Sequence, residues 1–183
     1  MKNLGILFFL CLLDFQTYGQ KETADLLKDL DQTIALRHRF EKQKTDRIDS
    51  LKRLLGATTV AEEFALTSQI FDEYKSFIYD SAFRYALRLQ FLAKRLRNPV
   101  QLYNSKINLG FILVSAGLFN EALDSLQSLR SNVLPDNLKA DFYFLIGRSC
   151  FDLAEFYRDD FYSVRYRERG DHYLDSALQY LPP

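Results

Sequence analysis

Tryptophan is absent from the chain, and cysteine occurs only twice in 183 residues. Cys11 lies in the first apolar run, which leaves Cys150 alone in the rest of the chain. One thiol builds no internal disulfide framework, so stability must come from packing. Gly (7) and Pro (4) are too few for a collagenous chain or flexible linkers. Net charge is absent too, with 24 basic residues against 24 acidic. Whole-chain electrostatics therefore argue for neither nucleic acid nor an anionic membrane as partner of this segment. No apolar run reaches the length of a membrane-spanning helix. Strand-like alternation is missing throughout.

Catalytic signatures are missing as well. There is no GxSxG, HExxH, paired CxxC or Gly-rich phosphate loop. The two histidines, His38 and His172, are far apart in sequence, and no Glu-x-x-His pair suited to a helical-bundle metal site occurs. These absences predict a chain that is not an enzyme and takes no cofactor or metal. Cys150, in "GRSCFDLA", sits on an apolar helical pattern and reads as a small core residue.

What is present begins with an export pattern. Lys2 precedes the ten-residue apolar run Leu4–Leu13, and Thr17 and Gly19 place small residues before a cut at Gln20. Residues 1–19 are thus expected to be a signal peptide, and the mature chain to reside in the periplasm or cell envelope. Cys11 follows Phe9-Leu10 rather than a small residue, which argues against lipidation.

The remainder reads as all helix. In 20–57 an apolar stripe runs through Leu27, Leu30, Ile34, Ile48, Leu51 and Leu55, as one long helix or two with a break. The cluster Arg37, His38, Arg39, Lys42, Lys44 is interleaved with Glu41 and Asp46 and reads as a solvated face. Thr59 and Glu62 have capping-box spacing. A turn is expected in "IYDSA" at 78–82. Asn98 and Pro99 suit a helix start, and Gly117 suits a helix stop. Asn120 and Asp136 are candidate caps for the two helices that follow.

Beyond residue 57 a repeat of helix, turn, helix emerges, with units at about 58–98, 99–135 and 136–183. "LG" at 109–110 recurs as "IG" at 146–147, a step of 37. "FNEAL" at 119–123 aligns with "YDSAF" at 79–83, a step of 40. Small residues are expected to face each other at Gly110 and Ala122, with Leu109, Leu113 and Leu126 filling space beside them. Gly147, Ala82 and Ala177 complete the set of repeat-defining small positions. If Gly170 takes the place of Ala122, the last unit is longer by eleven residues, about three helical turns. That predicts an extended helix over 147–169, with at most a turn between 158 and 168.

The pattern Leu109-Gly110, Leu113, Gly117, Ala122, Leu126, Pro135 resembles a tetratricopeptide repeat, without its early Trp and with a longer period. The fold it implies is all-α: antiparallel helix pairs stacked as a right-handed solenoid, after a signal peptide and a long N-terminal helical segment. "LDQTIALRHRFEKQKTDRIDSLK", "YDSAFRYALRLQFLAKRLRNP", "GLFNEALDSL" and "GDHYLDSALQYLPP" resemble the N-terminal, exported tetratricopeptide-like region of membrane-anchored transcriptional regulators of Bacteroidota. In that family a transmembrane helix, a coiled coil and a cytoplasmic DNA-binding helix-turn-helix follow. Those parts are not among the 183 residues. The resemblance therefore implies either a fragment of a longer regulator or a chain to which the signalling role does not carry over. Attachment to a membrane would come only through such C-terminal sequence.

The function expected is a non-enzymatic protein–protein interaction module outside the cytoplasm, the sensory or partner-binding part of such a regulator. The alternative is an envelope scaffold that binds peptide or glycan without signalling. Phe142, Tyr143, Phe144, Phe151, Phe156, Tyr157, Phe161, Tyr162, Tyr166 and Tyr173 crowd one stretch, either as core or as a groove. The groove reading assigns Arg158, Tyr162, Arg165, Tyr166 and Arg169 to a protein or peptide partner. Tyr173, Leu174, Ala177, Leu178 and Leu181 are expected to form an apolar edge suited to self-association.

Overall fold

The computed structural model describes residues 23–181, and every regular element among them is helical. The expected signal peptide lies outside the described residues. Two compact units meet the eye, one through Arg47 and one from Ile48.

In the first unit, helix α1 (23–35) gives way at Leu36, and helix α2 (Arg37–Arg53) begins. The break answers the question of one helix or two. Leu27, Leu30 and Ile34 are exposed. Arg37 pairs with Glu41 one turn on, at 2.7 Å, and His38 Nδ1 lies 3.6 Å from the same carboxylate. The Arg37 pairing pulls the Glu41 carboxyl below its ordinary range.

The second unit holds the last turns of α2, a short 3-10 turn at Leu54–Ala57, and six helices: α3 (Val60–Tyr74), α4 (Tyr79–Arg95), α5 (Pro99–Ser115), α6 (Phe119–Gln127), α7 (Asp136–Tyr157) and α8 (Tyr162–Leu178). Each of α3 to α7 packs on the helix that follows it, and α5 also packs on α7. This is the neighbour pattern of paired helices in a tetratricopeptide-type repeat.

Local chemistry sets most of the boundaries. Thr59 Oγ1 accepts from the Glu62 N–H, and Glu62 accepts in return from the Thr59 N–H at 2.8 Å, a complete capping box. Asn98 accepts from the Gln101 N–H, with Pro99 in the first turn where its missing donor costs nothing. Gly117, at φ +78, ends α5: its own N–H reaches Val114 O and the next reaches Leu113 O. That is a Schellman closure. Arg97, at φ 52, closes α4 the same way, donating to Lys94 O while Asn98 donates to Ala93 O.

Three local expectations are corrected. The chain turns at 75–78, so Tyr79–Ala82 already belong to α4. Asn120 lies inside α6, whose cap position is held by Leu118 without a side-chain bond. Asp136 is the first residue of α7 rather than its cap, and its carboxylate pairs with Lys139 at 2.8 Å.

The core runs through the helix pairs. Ile48, Ile70, Phe71, Ala82, Ala86 and Leu89 form one end, and Leu113, Leu126, Leu138, Phe142 and Ile146 lie in the other. Phe83, Leu109 and Phe111 pack against both clusters. Ala82, Ala122 and Ala177 are buried as the repeat reading requires.

The glycines of the last two pairs mark close approaches between their helices. A Cβ on Gly110 would sit 2.8 Å from Leu126 Cδ2, so Gly110 packs directly against Leu126. Gly147 does the same with Leu174, whose Cδ2 would lie 3.0 Å away, and also nears the Gly170 carbonyl oxygen. Leu174 follows Leu126 by the same 48 residues that separate Gly170 from Ala122. The two helix pairs thus share one register despite their different lengths.

Candidate functional site

The extra residues of the last pair lie at the turn joining its two helices. Helix α7 has 22 residues against 17 in α5, and α8 has 17 against 9 in α6. The extended helical stretch expected over 147–169 is interrupted by one turn, at 158–161, inside the window 158–168 where at most one was expected. The chain breaks at Arg158, which adopts left-handed φ 51, ψ 15 and ends α7. Asp159 Oδ1 then accepts from the N–H groups of Phe161 (2.9 Å) and Tyr162 (2.6 Å), which starts α8. The break comes without Gly or Pro. An arginine takes the strained conformation, and an aspartate supplies the acceptor.

This turn divides the aromatic stretch. Toward the open end of the pair the rings are structural: Phe142 is buried, and Tyr143 packs on Phe142 (5.2 Å), Tyr173 (6.2 Å) and Tyr180 (5.9 Å). Phe151 lies where a Cβ on Gly170 would be, 2.8 Å away. Cys150 is fully buried here, and burial pushes its thiol above its ordinary pKa, as for a packed core cysteine.

Near the turn the rings face solvent. Phe156 is 74 % exposed, Phe161 61 % and Tyr162 53 %. They are nonetheless ordered against one another. Tyr157 stacks on Tyr166 with centroids 5.6 Å apart and planes 7° from parallel, and it leans on Tyr162 at 5.8 Å. Phe161 meets Tyr162 edge to face at 5.1 Å. The arginines are drawn to the ring faces: Arg165 stands 5.4 Å from the Phe161 centroid and Arg169 5.7 Å from that of Tyr173. Arg167 joins α8 to α7 through Glu155 at 3.0 Å, a pair exposed enough to contribute less than about 1 kcal/mol.

Tyr162, Arg165, Tyr166 and Arg169, one stripe of α8, line a single open depression of about 530 Å³ together with Glu168. Four of the five expected partner-binding residues are thus brought together. Arg158 is not among the lining residues. It is the residue that turns the chain, and its Nε donates to the Glu155 carbonyl. Two neighbours were not foreseen. Glu168 adds a carboxylate to the lining, and Tyr157 buttresses Tyr162 and Tyr166 from α7. The contact of Tyr157 with Tyr166 depends on where the chain folds back, which spacing along one strand of sequence does not reveal.

Helices paired in this way, with a Gly–Leu close approach repeated in consecutive pairs and a Schellman glycine turning α5 into α6, define a tetratricopeptide-type helical repeat. That fold is typically a non-catalytic scaffold for protein–protein interaction. Residues 34–183 match the family described as the SusR N-terminal TPR domain, and the chain belongs to that family. No curated protein matches the chain, and no solved structure does. The match agrees with the resemblance read from "GLFNEALDSL" and its companion segments. Among the described residues no helix is long and apolar enough to cross a membrane, and no group of side chains is suited to hold a metal ion.

Proposed function

We propose that the chain is the exported, partner-binding region of a membrane-anchored transcriptional regulator, and that it engages a protein or peptide through the turn of the α7–α8 pair. In this reading residues 1–19 direct export. The helix pairs stack as a right-handed solenoid in the periplasm or envelope. The observation that carries the reading is the exposed aromatic and arginine surface at that turn. Tyrosine and arginine are the residues that most often dominate binding energy, because they combine large contact area with directional hydrogen bonds. Large rings left in solvent contribute little to folding, yet here they are pre-ordered by stacking, which lowers the entropy cost of docking.

The test is to truncate Tyr162, Arg165 and Tyr166 together to alanine. Retained helicity and melting with lost partner binding support the surface. Unfolding would mean that these side chains are core. Leu178 and Leu181 at the other end of α8 are exposed as well, while Leu174 and Tyr173 are held against Gly147 and Tyr143. Self-association, where it occurs, would therefore use Leu178 and Leu181 and leave the turn free.

A further inference from the structure

A second cleft, away from the α7–α8 turn, is lined by Lys52, Leu55, Tyr74, Ser81, Arg84, Tyr85 and Arg88, and has a volume of about 540 Å³. That size suits a small ligand. Its wall is built from the end of α2, the end of α3 and one face of α4. Tyr74 is buried and stacks on Tyr85 with centroids 5.5 Å apart and planes 20° from parallel. Lys52 Nζ donates to Tyr74 Oη at 2.8 Å, which fixes the ammonium at the edge of the tyrosine pair. That bond is also the main reason Lys52 holds its proton more firmly than an ordinary lysine.

The two arginines are not equivalent. Arg88 is paired with the Glu63 carboxylate of α3. Arg84 spends only its Nε, on the Asp80 carbonyl, and has no carboxylate partner among the described residues. Its terminal amino groups are left to form the fork that guanidinium offers to a carboxylate. The lining residues carry three cations and no carboxylate; Glu63 offsets one cation and Asp49 lies close enough to act on Lys52. A positive charge is left over in a recess floored by stacked rings.

We propose that this cleft binds the carboxylate of a small organic anion, with Arg84 and Lys52 holding the carboxylate and the Tyr85 ring carrying the flat body beside it. The Ser81 hydroxyl stands in the wall as a further donor. The body could come from a sugar acid or from the end of a peptide, because both present a carboxylate next to a face that stacks on a ring.

Isothermal titration of the chain with D-glucuronate and with N-acetyltyrosine tests both sources, and D-glucose and N-acetyltyrosine amide supply the same bodies without the charge. At least one acid should bind with a Kd below about 1 mM, and its neutral counterpart at least about tenfold more weakly. Arg84→Gln should weaken that acid by about tenfold. Arg84→Lys, which keeps the charge and loses the fork, should fall between the two. The Tyr162/Arg165/Tyr166 alanine variant should bind the acid like wild type, which separates this site from the α7–α8 surface. The proposal is overturned if neither acid binds at millimolar concentration, if acid and neutral counterpart bind alike, or if Arg84→Gln melts and binds like wild type.

Discussion

Replacing Gly110 by alanine should destabilise the protein, and the same replacement should stabilise it once Leu126 is gone. The Cβ added at Gly110 would lie 2.8 Å from Leu126 Cδ2, 2.9 Å from Cγ and 3.1 Å from Cδ1. Ordinary carbon contacts are about 3.5–4.0 Å, so the Leu126 side chain must retreat by about 0.5–1 Å. It has nowhere open to go, being fully buried between α5, α6 and α7. Overpacking of this kind costs about 1–3 kcal/mol. Against it stands the gain of replacing a helical glycine by alanine, about 0.8–1.0 kcal/mol. The clash should win, by about 1 kcal/mol. Leu126→Ala alone should cost about 2–5 kcal/mol by opening a cavity. In that background the clash disappears and the propensity gain remains, so Gly110→Ala should stabilise by about 1 kcal/mol. Urea unfolding of the four chains, followed by far-UV circular dichroism, closes the cycle. A Gly110→Ala effect of the same sign in both backgrounds would refute the Gly–Leu close approach as the reason for the glycine.

Other outcomes follow from single contacts. Arg158→Gly should raise stability by about 1 kcal/mol, because glycine takes the left-handed conformation without strain and the exposed guanidinium contributes little; a lower melting temperature would contradict this. Thr67 is fully buried and its hydroxyl has no partner among the described residues, so Thr67→Val should stabilise by about 1 kcal/mol in chemical unfolding. The Thr59 hydrogen bonds hold the Glu62 carboxyl below its ordinary 4.5, backbone donor first. A depressed folded value means stability present above 4.5 and lost as pH falls through the folded value. Wild type should therefore exceed Glu62→Gln near neutral pH, and the gap should close in acid; a gap that widens in acid would be the wrong sign.

Features decided within a few residues were readable from the sequence. Thr59-Glu62, Asn98-Pro99 and Gly117 each satisfy backbone groups nearby, so spacing alone located them. The register of the last two pairs was readable too, because Gly110 and Gly147 cannot be replaced freely where α5 and α7 meet Leu126 and Leu174. The turn out of α7 was narrowed only to a window, 158–168, and its chemistry was not readable. Residues 148–169 contain neither Gly nor Pro, and the turn rests on a strained arginine and an aspartate that in isolation look like ordinary helix-surface residues. That turn decides which rings are exposed, so the stripe Tyr162, Arg165, Tyr166, Arg169 was legible from its helical spacing, whereas the support from Tyr157 and the absence of Arg158 were not. The Lys52–Arg84–Tyr85 cleft was invisible for a related reason: its cations and rings come together only when α2, α3 and α4 pack.

The claim that matters most is that the turn between α7 and α8 meets a partner. Site-specific photo-crosslinking in the native cell tests it most directly, with a benzoylphenylalanine placed at Tyr162 and, as a control, at exposed Leu87 on α4. A partner docked at this turn gives a discrete adduct from position 162 that disappears when Arg165 and Tyr166 are changed to alanine, and none from position 87. Adducts that are the same from both positions, or that survive loss of Arg165 and Tyr166, would contradict it.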